Sequence, residues 1–155
     1  MSDLGQLLQN MAFGGIAAWG FGVLFNFGWR DLGWCAAAGA LALATRTLAM
    51  DAGVSLEAAS FAAAVVLGFG VRVLRGLLGP ARNALAVAGC IPMVPGSFAA
   101  KAILGMFALS SGASGDVSMV TVATTLEYLL RVAFTLGAIG TGLTITTQLL
   151  GNRDF

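Results

Sequence analysis

Apolar residues run through this chain in blocks the length of a membrane crossing, and polar residues gather between them. A spanning helix needs about 20 apolar residues. Five segments meet that length: Leu4–Phe27, Asp31–Met50, Leu56–Leu78, Asn83–Leu109 and a fifth within Val117–Leu150. The first carries no charge, the second contains the run CAAAGALALA, and Val132–Leu150 is again free of charge. No stretch alternates with period two over the roughly ten residues of a membrane β-strand. The predicted class is therefore an all-α integral membrane protein of about five transmembrane helices, forming one domain over residues 1–155.

Composition sharpens that picture. The 155 residues are 58% hydrophobic and only 10% charged, against about 25% charged in soluble domains. A net charge of +1 gives no basic stripe for nucleic acid. Histidine is absent, which removes imidazole ligands, bases and the Ser-His and Cys-His arrangements. Cys35 and Cys90 lack CxxC spacing and read as small buried thiols. No nucleophile–base pair, paired carboxylates or GxxxxGK[ST] loop can be drawn from the spans, so no enzyme, metal or other cofactor is expected. The opening MSDLGQLLQN has an acid and no Lys or Arg, unlike a signal peptide, so the N-terminus is expected to stay as it is.

Charges orient the segments. Asp3, Asp51, Glu57 and Asp116 mark one set of ends; Arg30, Arg72, Arg75, Arg82 and Arg153 mark the other. Lys and Arg favour the cytoplasm, which predicts an outside N-terminus and a cytoplasmic C-terminus. Arg46 opposes this bias near the outer end of the second segment, where it could snorkel or meet Asp51. Small residues recur every fourth position at Gly14, Ala18 and Gly22, at Gly33 and Ala37, and at Gly140 and Thr144. Such spacing suits close helix packing within the chain or at a subunit interface.

The fourth segment is interrupted. In GCIPMVPGSFAAK, residues 89–101, Pro92 and Pro95 each lack an N–H and clash with the preceding turn. Val94, before Pro95, is pushed toward extended geometry, and Gly96 permits a wide range of angles for the chain to resume. Ser97 is suited to cap a second half-helix from Phe98. Asn83 to Ile91 rises roughly 13 Å, placing the interruption near the middle of a ~30 Å hydrocarbon core. Irregular backbone at that depth needs cover from protein or a watery cavity. Free amides of the second half-helix, with Lys101 about one turn beyond Ser97, would form an anion site. Unpaired carbonyls of Cys90 and Ile91 would face an ammonium group or cation. A kink that serves packing alone is the other reading.

Glu127 and Arg131 stand four apart on one helix face. As one helix, Val117–Leu150 would be about 50 Å long. The favoured placement makes Val132–Leu150 the span, with Arg131 at its edge and residues 117–130 along the interface. A tilt, or a break near Gly137, would instead bring the pair into the core as a salt bridge or gating contact.

GFGVLFNFGWRDLGWCAAAGALALATR (20–46) and CIPMVPGSFAA (90–100) resemble the YjjB-like membrane subunit of the threonine/serine exporter (ThrE) family. The shared marks are Gly20, Phe21, Phe25, Asn26, Arg30, Trp34, Cys35, Gly39 and Arg46, then Ile91, Pro92, Met93, Pro95 and Gly96. The resemblance implies a secondary exporter in the bacterial cytoplasmic (inner) membrane. It would move threonine and serine, or dicarboxylates such as succinate, with a YjjP-like partner of inverted topology. It also implies that Pro92, Pro95 and Gly96 lie on the substrate pathway. Asn26 is then a polar contact for substrate or the C-terminal cap of its helix, Arg30 an anchor or an inner-mouth attractor for anions, and Arg46, facing the interior near the outer vestibule, a partner for a substrate carboxylate or for Asp51. A homo-oligomer is a further expectation. The rival is a structural or assembly subunit whose pathway lies in another chain.

Overall fold

The computed structural model describes residues 4–74, 76, 82–111 and 119–149. Asp3, Arg75, Asp116 and Arg153 lie outside the described residues, as does the side chain of Arg82. Among the described residues the α-helices are, in order, α1 Leu4–Leu24, α2 Trp29–Asp51, α3 Leu56–Val73, α4 Arg82–Cys90, α5 Gly96–Ser111 and α6 Met119–Leu149. A single 3₁₀ turn, Ile91–Met93, joins α4 to α5. Among the described residues no strand is present. Four helices are long and apolar enough to cross a membrane, and α4 with α5 makes a fifth if counted as one bent span.

The first two connections are short because each helix ends on a left-handed residue. Asn26 takes φ 58, with Asn26 N–H donating to the Val23 carbonyl and Phe27 N–H to the Gly22 carbonyl, both at 3.0 Å. This is the Schellman stop, and asparagine is among the few residues with a side chain that tolerate it. After α2, Gly53 takes φ 84 and the same pair of bonds recurs. Ser55 Oγ then accepts from Ala58 N–H at 3.3 Å to start α3.

Small residues set the helix spacing. In lipid, close packing replaces the hydrophobic drive between helices. Gly14, Ala18 and Gly22 are buried along α1 and meet α2: a Cβ at Gly14 would lie 2.8 Å from the Gly39 carbonyl oxygen. Their spacing therefore serves packing within the chain. Gly33 with Ala37, and Gly140 with Thr144, are exposed instead. Contacts at both ends of each pair show that α1 and α2 run antiparallel, while α3 and α6 run parallel, Phe61 and Ala64 meeting Gly142 and Gly68 meeting Thr146. α4 lies beside α2 and α3, where a Cβ at Gly89 would sit 2.7 Å from Ala38 Cβ and 2.9 Å from Leu67 Cδ2. The core where these helices meet holds both free cysteines, Cys35 and Cys90, with Ala42, Ala63, Leu67, Leu85 and Met93.

The fifth segment departs from expectation. It is one 31-residue helix through Arg131 and Gly137, about 46 Å long, neither divided at Arg131 nor broken at Gly137. Each half has its own neighbour: α5 packs on the first half and α3 on the second. Thr124, Thr125, Thr135, Thr144 and Thr146 give their hydroxyl protons to carbonyls one turn back, as Thr125 does to Thr121 (2.7 Å) and Thr135 to Arg131 (2.6 Å). These polar β-branched residues thus sit in an apolar helix without an unmet donor.

Candidate functional site at the interrupted helix

The break forms from backbone rules alone. Pro92 occupies the first turn of the 3₁₀ segment, where a missing N–H leaves nothing unpaired. Val94 is extended, φ −60 and ψ 127, as its place before Pro95 demands. Val94 N–H donates to the Ile91 carbonyl at 3.0 Å, Gly96 N–H to the Val94 carbonyl at 2.8 Å, and Ala99 N–H to the Pro95 carbonyl at 3.1 Å. The helices on either side are bent by 62°.

Two details correct the sequence reading, and a third refines it. α5 starts at Gly96 with Pro95 closing its first turn, so Ser97 is an exposed residue inside that turn and not its cap. The Ile91 carbonyl is already bonded. Gly96 is not left-handed, and a Cβ there would meet open space; Val94 and Pro95 make the corner, and Gly96 keeps the backbone beyond it uncovered.

Met93 shows what the interruption costs and how it is met. In an unbroken helix its carbonyl would accept from the N–H four residues on. The corner removes that donor, and Arg46 Nη1 replaces it at 2.8 Å, reaching across from α2. A guanidinium suits this role because it stays charged and donates in a rigid fork. Beside it, Asn10 Nδ2 of α1 donates to Thr47 Oγ1 at 3.3 Å. Gly89, a turn before the corner, touches Ala38 and Leu67 near the midpoints of α2 and α3. The corner lies one to two turns beyond that level, toward the α2–α3 connection, since Arg46 stands five residues before the end of α2.

A second polar group adjoins the corner where α5 crosses α6. The rings of Phe98 and Tyr128 stack with centroids 5.7 Å apart. Lys101 Nζ lies over both, 5.4 Å from Tyr128 and 6.0 Å from Phe98, and Arg131 Cζ is 5.7 Å from Phe98. Arg131 also bonds Glu127 (Nε to Oε1, 3.0 Å) and reaches Glu57 at the start of α3 (Nη1 to Oε1, 3.8 Å). Lys101, Glu127 and Arg131 are therefore brought together, with Arg131 shared between carboxylates of two helices.

Sequence reasoning did not single out Phe98 or Tyr128, and used Glu57 only as an end marker. The i, i+4 spacing signalled the Glu127–Arg131 pair; the stacking and the α3 contact carry no local signal. Asn26 and Arg30 are not part of this assembly. Both are exposed at the opposite end of α2, and Trp29 to Arg46 is a rise of about 26 Å. Pro92, Pro95 and Gly96 line the corner itself, with Pro95 buried.

Residues 10–149 match the family model described as Threonine/Serine exporter, ThrE. No solved structure matches the chain.

Proposed function

The chain belongs to the threonine/serine exporter (ThrE) family, and from that membership we propose that it is the membrane subunit of a secondary exporter whose pathway passes the corner between α4 and α5. The observation that carries this reading is the Arg46–Met93 bond. A buried helix interruption whose exposed carbonyl is held by a charged side chain is costly to build for packing alone. Discontinuous helices of this kind present half-helix amides and carbonyls to substrates in other transporters.

Threonine and serine are the proposed substrates, with small dicarboxylates as an alternative cargo because backbone amides suit either carboxylate. The N-terminus lies outside: Arg30 and Arg72 fall at one end of the α1–α3 hairpins, Asp51 and Glu57 at the other, and the Arg-bearing end belongs in the cytoplasm. The location is the inner membrane of a bacterium. Exposed Ile103, Leu104, Phe107, Leu126 and Phe134 on α5 and α6 support a YjjP-like partner of inverted topology covering this half, as inverted repeats do.

The test is threonine efflux from cells carrying a Pro95→Ala, Gly96→Leu double variant. It removes the proline that sets the corner and fills the open space over Gly96; because Pro95 is buried, insertion is measured alongside efflux. Normal insertion with efflux reduced to background supports the reading. Wild-type efflux reduces the corner to a packing kink.

A further inference from the structure

Beyond the corner, α5 and α6 form the walls of a shallow, open groove of about 370 Å³ lined by Lys101, Leu104, Gly105, Val120, Thr121, Thr124, Thr125 and Tyr128. That volume lies at the small end of small-molecule sites. Thr125 closes the floor by pressing against Gly105, where a side chain on α5 would collide with it.

We propose that this groove binds the zwitterionic head of a small amino acid, the carboxylate on Lys101 Nζ and the ammonium or hydroxyl on threonine oxygens of α6. The amino-acid class rests on the exporter reading above; the groove and its chemistry do not.

The polarity of the lining favours that ligand. Among the described residues Arg131 pairs with Glu57 and Glu127, and Lys101 is in neither pair. Its ammonium is folded back over two rings, which hold it over the groove without neutralising it. The opposite wall is an acceptor surface. Thr124 and Thr125 give their hydroxyl protons to the Val120 and Thr121 carbonyls at 2.8 and 2.7 Å, so each oxygen has only lone pairs left to offer. One wall therefore supplies a cation and the other supplies acceptors, the complement of a carboxylate beside an ammonium. A dicarboxylate would satisfy Lys101 and set its second anion against those lone pairs.

The experiment is equilibrium binding of labelled L-threonine to the full-length protein in phosphatidylcholine nanodiscs, with succinate as the competing probe. Lys101→Met is expected to weaken threonine binding roughly 10- to 100-fold, the loss of one charge-assisted hydrogen bond. Lys101→Arg should stay within about threefold of wild type, which also controls for folding. Thr124→Val should weaken binding about three- to tenfold. Arg46→Met, which tests the corner, should lose efflux yet keep threonine binding, so the two readings fail separately. Unchanged threonine affinity in Lys101→Met overturns the proposal. So does loss of co-purified phosphatidylglycerol in that variant with threonine binding intact, which would make Lys101 a lipid anchor. Lys101-dependent binding of succinate without threonine overturns the amino-acid class while leaving export to the efflux assay.

Discussion

The two halves of this molecule are held by different means. Between α1, α2 and α3 the contacts are backbone against backbone: Gly14 on Gly39, with Ala18, Ala42 and Ala63 fully buried around them. Between α5 and α6 one close approach, Gly105 on Thr125, is joined by side-chain tips, with stacked rings, a lysine over them and an arginine shared by two carboxylates. Close-packed small residues allow one geometry and resist any other. Long polar side chains at a partly exposed seam can re-pair at little cost. The difference separates a scaffold of interlocked small residues from a seam carried largely by aromatic and charged side chains, and the corner at Val94–Pro95 lies where the two meet.

The contrast breaks first, and with the largest effect, at Gly39. Any added side chain there runs into Ala18 and the Gly14 carbonyl. Gly39→Leu should cost more than about 3 kcal/mol, beyond the usual range for overpacking, because backbone must move. Thermal unfolding in detergent would read it. Gly137→Leu is the counterpart, since nothing lies within 4 Å of a Cβ there. It should leave the unfolding temperature of the isolated chain unchanged. Equal losses at both sites would erase the distinction between scaffold and open face.

Arg46→Met comes next. It strands the Met93 carbonyl, a loss of about 1–3 kcal/mol for a buried unpaired acceptor. Efflux should suffer more than stability, because the corner loosens while the small-residue core stays intact. Glu57→Gln has the smallest effect. Its bond to Arg131 is long, 3.8 Å, and the two side chains are 28% and 42% exposed, so the stability change should fall within about 0.2–1 kcal/mol. The same variant should shift the rate of efflux, because it releases the seam from α3. A stability loss matching that of Gly39→Leu would show that the seam is scaffold too.

The spans were legible because their length and apolar character are local properties, and the corner was legible because proline restricts its own φ and the residue before it. Val94 adopts the extended geometry its position predicts. What the chain did not disclose is register between distant helices. Arg46 and Met93 are 47 residues apart, and only the approach of α4 to α2 at Gly89 and Ala38 lets the guanidinium find the carbonyl. The fifth segment was misread for a related reason. Its length argued for two pieces, yet nothing in it breaks a helix, and two successive neighbours support it. Ser97 was misplaced as a cap because Pro95 starts the helix with its own carbonyl.

Parallel packing gives α6 a long overhang. Arg131 is level with Glu57 at the start of α3, so the turns from Met119 to Leu130 continue about 18 Å past the end of their neighbour. A bilayer matched to the shorter helix leaves that length to be absorbed by tilt or by local thickening of the lipid. Because α5 is clasped to the overhang through Phe98 on Tyr128 and Gly105 on Thr125, any tilt that α6 takes in the lipid is shared by α5.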